Sequence, residues 1–373
     1  MATRTKPPFR ADHVGSLLRP ERVLRARDDF AAETIDASEL HAIEDDAIRD
    51  AVRMQEDVGL QAATDGEFRR ASWHMDFIYS LDGISQRAGH IAVTFHNEDG
   101  DIEWTPAALH VNGKLGVSET IFGEHFRFLQ NTVTTSVPKL TIPSPSMVHY
   151  RGGKAALDPT VYADLDAFWA DLTAAYREEI RRLGELGCTY LQLDDTSLAY
   201  MNDPHQREYV ASIGGDPERQ HVEYIRHINE ALADRPEGMT VTTHMCRGNF
   251  RSSWAAEGGY DFVAEALLTE LEVDGFFMEW DDERSGGFEP LRFLPKGDKQ
   301  VVLGLVTTKR GELEAKDDLK RRIEEASKHA PLEQLCLSPQ CGFASTVDGN
   351  ALTHDDQVAK LRLVVETAEE IWG

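Results

Sequence analysis

Short β-rich stretches alternate with longer amphipathic stretches along almost the whole chain, and this alternation restricts the possible folds more than any other feature. Eight strands are predicted, at residues 11–16, 60–64, 136–142, 188–193, 239–243, 275–278, 300–306 and 335–338. The clearest helices are predicted at residues 38–58, 164–183, 312–327 and 354–372. Repeated βα units in 373 residues predict an α/β protein, folded as a single (β/α)8 TIM barrel over residues 1–373.

One stretch interrupts this alternation, and one alternative fold stays open. Residues 84–118 contain two short alternating segments, at 91–95 and 102–104, which predict a β-hairpin excursion from the barrel. An open, doubly wound sheet is the alternative for a chain of βα units. No Gly-x-Gly-x-x-Gly follows a predicted strand, so a dinucleotide-binding sheet has no support.

Composition narrows the classes of partner. The chain has 39 basic and 65 acidic residues, a formal net charge of −26, which argues against binding to nucleic acid or to an anionic membrane. No apolar run approaches the ~20 residues of a membrane span, and the polar residues 1–10 contain no apolar signal core. A cytoplasmic protein is therefore expected. Four cysteines do not make a disulfide framework in so long a chain, and Cys188 and Cys336 are expected in the core.

A metal site is predicted where strands end. His244 and Cys246 follow the strand at 239–243 two residues apart, so in an extended backbone they face the same side. Glu279 and Cys341 follow two further strands, and the strand ends of a (β/α)8 barrel meet at one face. Two thiolates, an imidazole and a carboxylate suit zinc, so these four residues are the predicted ligands. The alternative is that Cys341 is a small turn residue and Glu279 a surface acid.

This set of ligands would favour one kind of chemistry. Three anionic ligands give the zinc site a net negative charge, which suits it poorly to polarising a carbonyl group. Such a site instead binds an incoming thiol, lowers the pKa of that thiol and keeps the thiolate nucleophilic. Alkyl transfer to sulfur is therefore favoured over hydrolysis.

Polar residues at other strand ends suit a small zwitterionic substrate. Gly15 and Ser16 offer backbone N–H groups and a hydroxyl that could bind a carboxylate. Glu67 and Asp194 could bind an ammonium group, with Asp195 beside them as a weaker candidate. Each acid taken singly could equally be a helix N-cap or a surface charge.

These residues resemble a known family, the cobalamin-independent methionine synthases, and the resemblance covers nearly the whole chain. Six segments carry it: His13-Val14-Gly15-Ser16, Asp65-Gly66-Glu67, Gln192-Leu193-Asp194-Asp195, His244-Met245-Cys246, Met278-Glu279 and Pro339-Gln340-Cys341-Gly342. The first three are similar to segments that bind homocysteine in the family, and the last three to its zinc-binding segments. The resemblance implies the catalytic C-terminal barrel, a homocysteine thiolate on zinc, and methyl transfer to give methionine.

Departures from the family leave the methyl donor open. The long members have an additional N-terminal barrel that helps to hold the folate tail, and this chain resembles the short, core type. Lys309 is the nearest match to a histidine that is thought to protonate the folate nitrogen in long members, so a catalytic role is expected for it. Methyltetrahydrofolate needs a general acid at its leaving nitrogen, whereas a methyl-corrinoid on a partner protein does not. The donor is expected to lie against Trp73 and residues 143–146.

Two other functions remain open for a chain of this kind. Short relatives of the family include zinc enzymes that alkylate coenzyme M with epoxides. A sulfonate-bearing acceptor of that type would need basic partners, and Arg19, Arg69 and Arg70 are available near the first two strand ends. The third possibility is a non-catalytic barrel that zinc merely stabilises.

Overall fold

Parallel strands form the centre of the protein in a computed structural model that describes residues 4–87, 93–97, 100–104 and 108–373. The strands in these ranges are β1 (Ala62–Ala63), β2 (Asp82–Arg87), β3 (Val93–Asn97), β4 (Gly100–Trp104), β5 (Ala108–Gly116), β6 (Val137–Pro138), β7 (Leu140–Pro143), β8 (Tyr190–Asp195), β9 (Thr240–Met245), β10 (Gly275–Glu279), β11 (Gln300–Val306) and β12 (Leu335–Pro339). The last six form one parallel sheet in chain order. Almost all of their residues are buried, as expected for parallel strands covered on both faces.

The barrel continues through the first third of the chain. β1 pairs in parallel with β6, and a single residue separates β6 from β7. An extended segment before β1 forms a parallel bridge between Ala11 and Leu337 of β12. The Leu17 N–H donates to the carbonyl of Gly66 at 3.1 Å, which links this segment to the residues that follow β1. The predicted α/β fold with a (β/α)8 barrel is therefore confirmed, although an extended segment rather than a regular strand occupies the first position.

Helices surround the strands. The α-helices are α1 (Glu21–Ala31), α2 (Ala37–Asp57), α3 (Met75–Ile78), α4 (Gly123–Thr132), α5 (Ser146–Tyr150), α6 (Leu165–Glu185), α7 (Ser197–Tyr200), α8 (Pro204–Ser212), α9 (Gln220–Leu232), α10 (Ala264–Glu270), α11 (Lys316–Ala326) and α12 (His354–Trp372). Local sequence explains where the long ones begin. Asp36 and Glu39 form a capping box at the start of α2, and the Asp164 carboxylate accepts the Ala167 N–H at the start of α6.

The excursion predicted for residues 84–118 consists of two antiparallel pairs. β2 pairs with β5, and β3 pairs with β4; the predicted residues 91 and 92 lie outside the described ranges. His96 of β3 exchanges two backbone hydrogen bonds with Trp254, at 2.7 and 2.9 Å. The Phe95 and Phe250 rings lie 5.3 Å apart. The hairpin β3–β4 therefore packs against the loop that follows β9.

A buried ion pair lies among the strands of the barrel. Cys188 and Cys336 are buried, as expected of core residues. Lys139 lies 3.2 Å from Asp12, and both side chains are fully buried. The Tyr190 hydroxyl donates to the second oxygen of Asp12 at 2.8 Å, so the carboxylate is well partnered. Among the described residues, no helix has the length and apolar character needed to cross a membrane.

Candidate active site

A buried group of one histidine and two cysteines lies at the C-terminal end of the strands. His244 is the penultimate residue of β9, Cys246 directly follows that strand, and Cys341 follows β12. Their ligand atoms all lie within 4.8 Å of one another. His244 Nε2 is 3.4 Å and Cys246 Sγ is 3.3 Å from Cys341 Sγ. The structure thus brings together three of the four predicted metal ligands.

Hydrogen bonds within this group favour a thiolate on one cysteine. The hydrogen bond with Cys246, together with the charge of the His244 imidazole, holds the pKa of Cys341 well below its usual value despite burial. The same hydrogen bond, with burial, raises the pKa of Cys246 well above its usual value. Cys341 is therefore the more acidic of the two thiols before any metal binds.

Asparagine side chains hold the loops that bear Cys246 and Cys341 against each other. Asn249 donates from Nδ2 to the carbonyl of Gly342 at 2.7 Å, just beyond Cys341. Asn350 donates in turn to Asn249 Oδ1 and to the carbonyl of Thr308, both at 2.9 Å. These bonds explain how loops from non-adjacent strands, β9 and β12, place cysteines in contact.

Glu279, the fourth predicted ligand, lies beside the group of three and not within it. It ends β10 and is buried. Its Oε2 accepts the backbone N–H of Arg247 at 2.7 Å, and its Oε1 accepts Gln340 Nε2 at 3.3 Å. Lys309 Nζ lies 3.8 Å from the same Oε1 and 3.6 Å from Asp281. The Glu279 carboxylate is therefore surrounded by hydrogen-bond donors and a lysine, next to the cysteines.

Glu67 and Asp194 form an acidic pair in the same pocket. The Thr141 hydroxyl donates to Glu67 Oε1 at 2.8 Å, and Arg70 lies 3.7 Å from that oxygen. Glu67 Oε2 is buried and has no hydrogen-bond partner among the described residues. Burial raises the pKa of Glu67, and burial together with the Glu67 charge raises the pKa of Asp194 to about 7. An ammonium group from a ligand would satisfy the free oxygen and stabilise both carboxylates.

The other predicted substrate residues differ in how available they are. Ser16 lines the pocket, and its hydroxyl accepts the N–H of Ala344 at 3.4 Å. Gly15 has φ of 150°, and a Cβ at this position would lie 2.7 Å from Thr141 Cγ2. Glycine therefore leaves room for Thr141, whose hydroxyl donates to Glu67. Asp195 also lines the pocket, but its oxygens accept hydrogen bonds from Ser146, Ser197 and Leu198. These bonds tie Asp195 to the first residues of α5 and α7.

The His/Cys/Cys group and the acidic pair line one pocket that is partly open to solvent. Sequence reasoning placed Trp73 at this site, and Trp73 lines the pocket, whereas residues 143–146 are not among the lining residues. Several lining residues were missed because they stand six or more residues beyond a predicted strand or in the predicted hairpin: His74, Phe95, Arg151, Tyr200, Asn249 and Phe250. No pattern in the sequence distinguishes them from core aromatics or surface charges.

The three arginines considered for a sulfonate are already engaged. Arg19 donates to four backbone carbonyls, two of which belong to residues 67 and 70. Arg69 pairs with Asp45, and Arg70 lies beside Glu67. None of the three lines the pocket among its described residues.

Fold and site together define a barrel protein with a thiol-rich group, suited to one metal ion, at the C-terminal face of its strands. A family model described as the catalytic domain of cobalamin-independent synthase matches residues 9–370, so the chain belongs to the cobalamin-independent methionine synthase family. This is a family of methyltransferases of the methionine synthase type.

Known proteins resemble the chain over nearly its full length. YxjH of Bacillus subtilis, described as uncharacterized, is 48% identical over 368 residues, which cover 98% of this chain and 96% of the relative. A methionine synthase of Pyrococcus abyssi is 23% identical over 80% of this chain and 76% of its own length. The structure of a putative vitamin-B12-independent methionine synthase from Listeria monocytogenes superposes with a TM-score of 0.78, 40% identity and coverage of 99% and 100%.

Proposed function

We propose that this protein is a zinc-dependent methyltransferase that moves a methyl group to the thiol of homocysteine and gives methionine. One juxtaposition carries the proposal. The His/Cys/Cys group and the unpartnered Oε2 atom of Glu67 belong to residues that line the same pocket. A small molecule with a thiol at one end and an ammonium group at the other satisfies both features.

The donor set supports zinc as the metal. One imidazole nitrogen and two sulfur atoms within 4.8 Å of one another are compatible with bonds of about 2.0–2.3 Å to a single ion. His244, Cys246 and Cys341 would hold it, and Glu279 is proposed as the fourth ligand. When bound, zinc supplies the positive charge that lowers the pKa of the acceptor thiol and keeps it a thiolate near neutral pH.

Residues of the barrel are proposed to orient the acceptor. Glu67 and Asp194 bind its ammonium group, because both carboxylates are buried and one oxygen of Glu67 has no partner in the described chain. Ser16 binds its carboxylate, and Gly15 keeps the backbone clear of Glu67. Asp195 contributes by fixing the loop after β8.

Lys309 is proposed to act on Glu279 through its charge. Burial lowers the pKa of Lys309, but the carboxylates of Asp281 and Glu279 outweigh it and raise the pKa above its usual value. The side chain is therefore a permanent cation beside the proposed fourth ligand. It would stabilise the Glu279 carboxylate when the acceptor thiolate competes for the metal. The methyl donor is proposed to be either methyltetrahydrofolate or a methyl-corrinoid.

Zinc K-edge X-ray absorption of the purified protein, with and without homocysteine, tests the proposal directly. We expect two sulfur neighbours of zinc without homocysteine and three with it, because the acceptor thiolate adds one. Cys246→Ser should lower zinc affinity by about tenfold or more, whereas the core variant Cys188→Ser should keep wild-type zinc content. An unchanged spectrum with homocysteine, or full zinc affinity in Cys246→Ser, would refute the proposal.

A further inference from the structure

Arg151 is the one arginine or lysine among the described residues that line the pocket. It is half-buried and follows helix α5. Its Nε donates to Nε2 of His74 at 3.1 Å. No carboxylate of the described chain lies within ion-pair distance of its guanidinium group. A cation with free donors in a substrate pocket of a strongly acidic protein calls for an anionic ligand.

His74 holds Arg151 in place as a neutral acceptor. Its Nδ1 lies 3.1 Å from the Ser72 hydroxyl, so one ring nitrogen can donate to Ser72 while the other accepts from Arg151. Burial and the Arg151 charge keep the pKa of His74 well below its usual value. The imidazole therefore stays uncharged, and with Nε occupied the two terminal nitrogens of Arg151 remain for a ligand.

The residues around Arg151 differ from those at the end of the pocket that contains Glu67 and Asp194, where the acceptor is proposed to bind. The cation beside Glu67 is Arg70, at 3.7 Å. The Tyr200 hydroxyl is 3.0 Å from where a Cβ on Gly248 would be, two residues after Cys246, and the Tyr200 ring packs against Tyr150, the residue before Arg151, at 5.9 Å. Next to Arg151, the Trp73 ring lies 4.2 Å from the His74 ring at 31°. Arg151 thus belongs to an aromatic side of the pocket, distinct from the acidic pair.

We propose that Arg151 is a specificity-determining residue that binds a carboxylate group of the methyl donor, while the flat ring system of that donor lies against Trp73. The proposal rests on the proposed function, because it assigns this side of the pocket to the second substrate. A single guanidinium group balances one carboxylate, and its planar fork matches carboxylate geometry. Arg151 is half-buried, so a second molecule can reach its guanidinium group from solvent.

The test uses a probe with an aromatic ring and carboxylates, 4-aminobenzoyl-L-glutamate, and its uncharged diamide. Isothermal titration calorimetry of the full-length, zinc-loaded protein measures the affinity for each. We expect the wild type to prefer the charged probe by about tenfold or more, since charge-assisted hydrogen bonds are stronger than neutral ones. Arg151→Gln should lose that preference, and Arg151→Lys should keep part of it. Arg251→Gln, at an exposed arginine outside this pocket, is the matched control and should behave as wild type.

Homocysteine titrations of the same variants separate this proposal from the proposed function. We expect Arg151→Gln to bind homocysteine with wild-type affinity. If the wild type does not bind homocysteine, the proposed function fails, while the two probes still decide the role of Arg151. Three results would overturn that role: no binding of the charged probe to the wild type, an unchanged preference in Arg151→Gln, or a tenfold loss of homocysteine affinity in that variant.

Discussion

Glu67 has two features that are unfavourable for the stability of the fold. It is a non-glycine residue with φ of 61°, a conformation that costs an L-residue about 1–2 kcal/mol. Its carboxylate is buried with one oxygen unpartnered among the described residues, which costs a further ~1–3 kcal/mol. Residues with such unfavourable conformations and contacts are found mainly at functional sites. We expect an ammonium group of a ligand to be the partner of this free carboxylate oxygen.

Replacing Glu67 by glutamine tests this role. Glutamine keeps the shape and can still accept from Thr141 Oγ1, but it removes the charge that would bind an ammonium group. We expect homocysteine affinity to fall by about tenfold or more, while 4-mercaptobutanoate, which has no amine, binds as well as before. Calorimetric titration of the zinc-loaded variant measures both.

Glu44→Gln is the matched control, because Glu44 is also a buried carboxylate but lies outside the pocket, beside Arg27. It should leave both affinities unchanged. Equal losses for the two thiols in Glu67→Gln would show that the substitution disturbs the pocket generally, and would remove the ammonium interpretation.

Individual site residues could be predicted from their place at strand ends, but not the directions of their side chains. His244 is the penultimate residue of β9 and Cys341 lies two residues beyond β12, so both are found at the ends of predicted strands. The orientation of Glu279 depends on the Arg247 N–H and on Gln340 and Lys309, which come from three other segments. Sequence periodicity contains no information about such contacts between loops.

At the level of elements, helix α6 contains an acid whose burial is costly. Glu179 is fully buried on the face that packs inward. Its Oε2 accepts the N–H of Ile121 at 3.1 Å, and its Oε1 is buried without a partner among the described residues. Burial raises the pKa of Glu179 to about 8. The carboxyl group is therefore mostly protonated in the folded protein at neutral pH.

Glu179→Gln should remove a pH-dependent loss of stability. The folded-state pKa of Glu179, about 8, lies above the ordinary glutamate pKa of 4.5, so the folded state binds more protons between these values and stability falls as pH rises through them. Glutamine mimics the protonated acid and has no such penalty. We expect little change in the free energy of unfolding at pH 5 and a gain of about 1–2 kcal/mol at pH 8, measured by urea denaturation.

The neighbouring Glu178 provides the control on the same helix. It is paired with Arg181 and Arg182, and these hydrogen bonds lower its pKa to about 2. Glu178→Gln should therefore give no gain at pH 8. A Glu179→Gln variant that is less stable than the wild type at both pH values would show that the carboxyl group makes a favourable contact when folded.

Long helices and strands were predicted more accurately from the sequence than short ones. The predicted helix at 354–372 is α12, and the predicted strand at 300–306 is β11, because long amphipathic or apolar patterns are unambiguous. The helix predicted at 312–327 begins only at Lys316, since the Glu314 carboxylate accepts the Thr307 N–H and pairs with Lys360. Helices of four or five residues, such as α3 and α5, contain too few turns to leave a periodic pattern.

At the scale of the whole molecule, the His/Cys/Cys group occupies one end of a barrel with a large hydrophobic core. The buried hydrophobic residues run from both faces of the sheet into the surrounding helices. The loops that bear Cys246 and Cys341 are joined by the asparagine hydrogen bonds described above, independently of any metal. Small zinc domains unfold without metal because they lack such a core.

Removing the metal should therefore leave the barrel folded. After chelation, we expect an unchanged far-ultraviolet circular dichroism spectrum and a single cooperative urea transition, at a lower midpoint because metal binding stabilises only the folded state. Hydrogen exchange should become faster in residues 246–250 and 340–350 but not in β8 or β11, since local opening is confined to the loops that lose a ligand. Cys246→Ser purified without zinc should reproduce that pattern. Collapse of the spectrum, or loss of protection across the central strands, would instead favour a barrel that zinc stabilises without catalysis, and the proposed binding of the acceptor thiolate to zinc would lose its support.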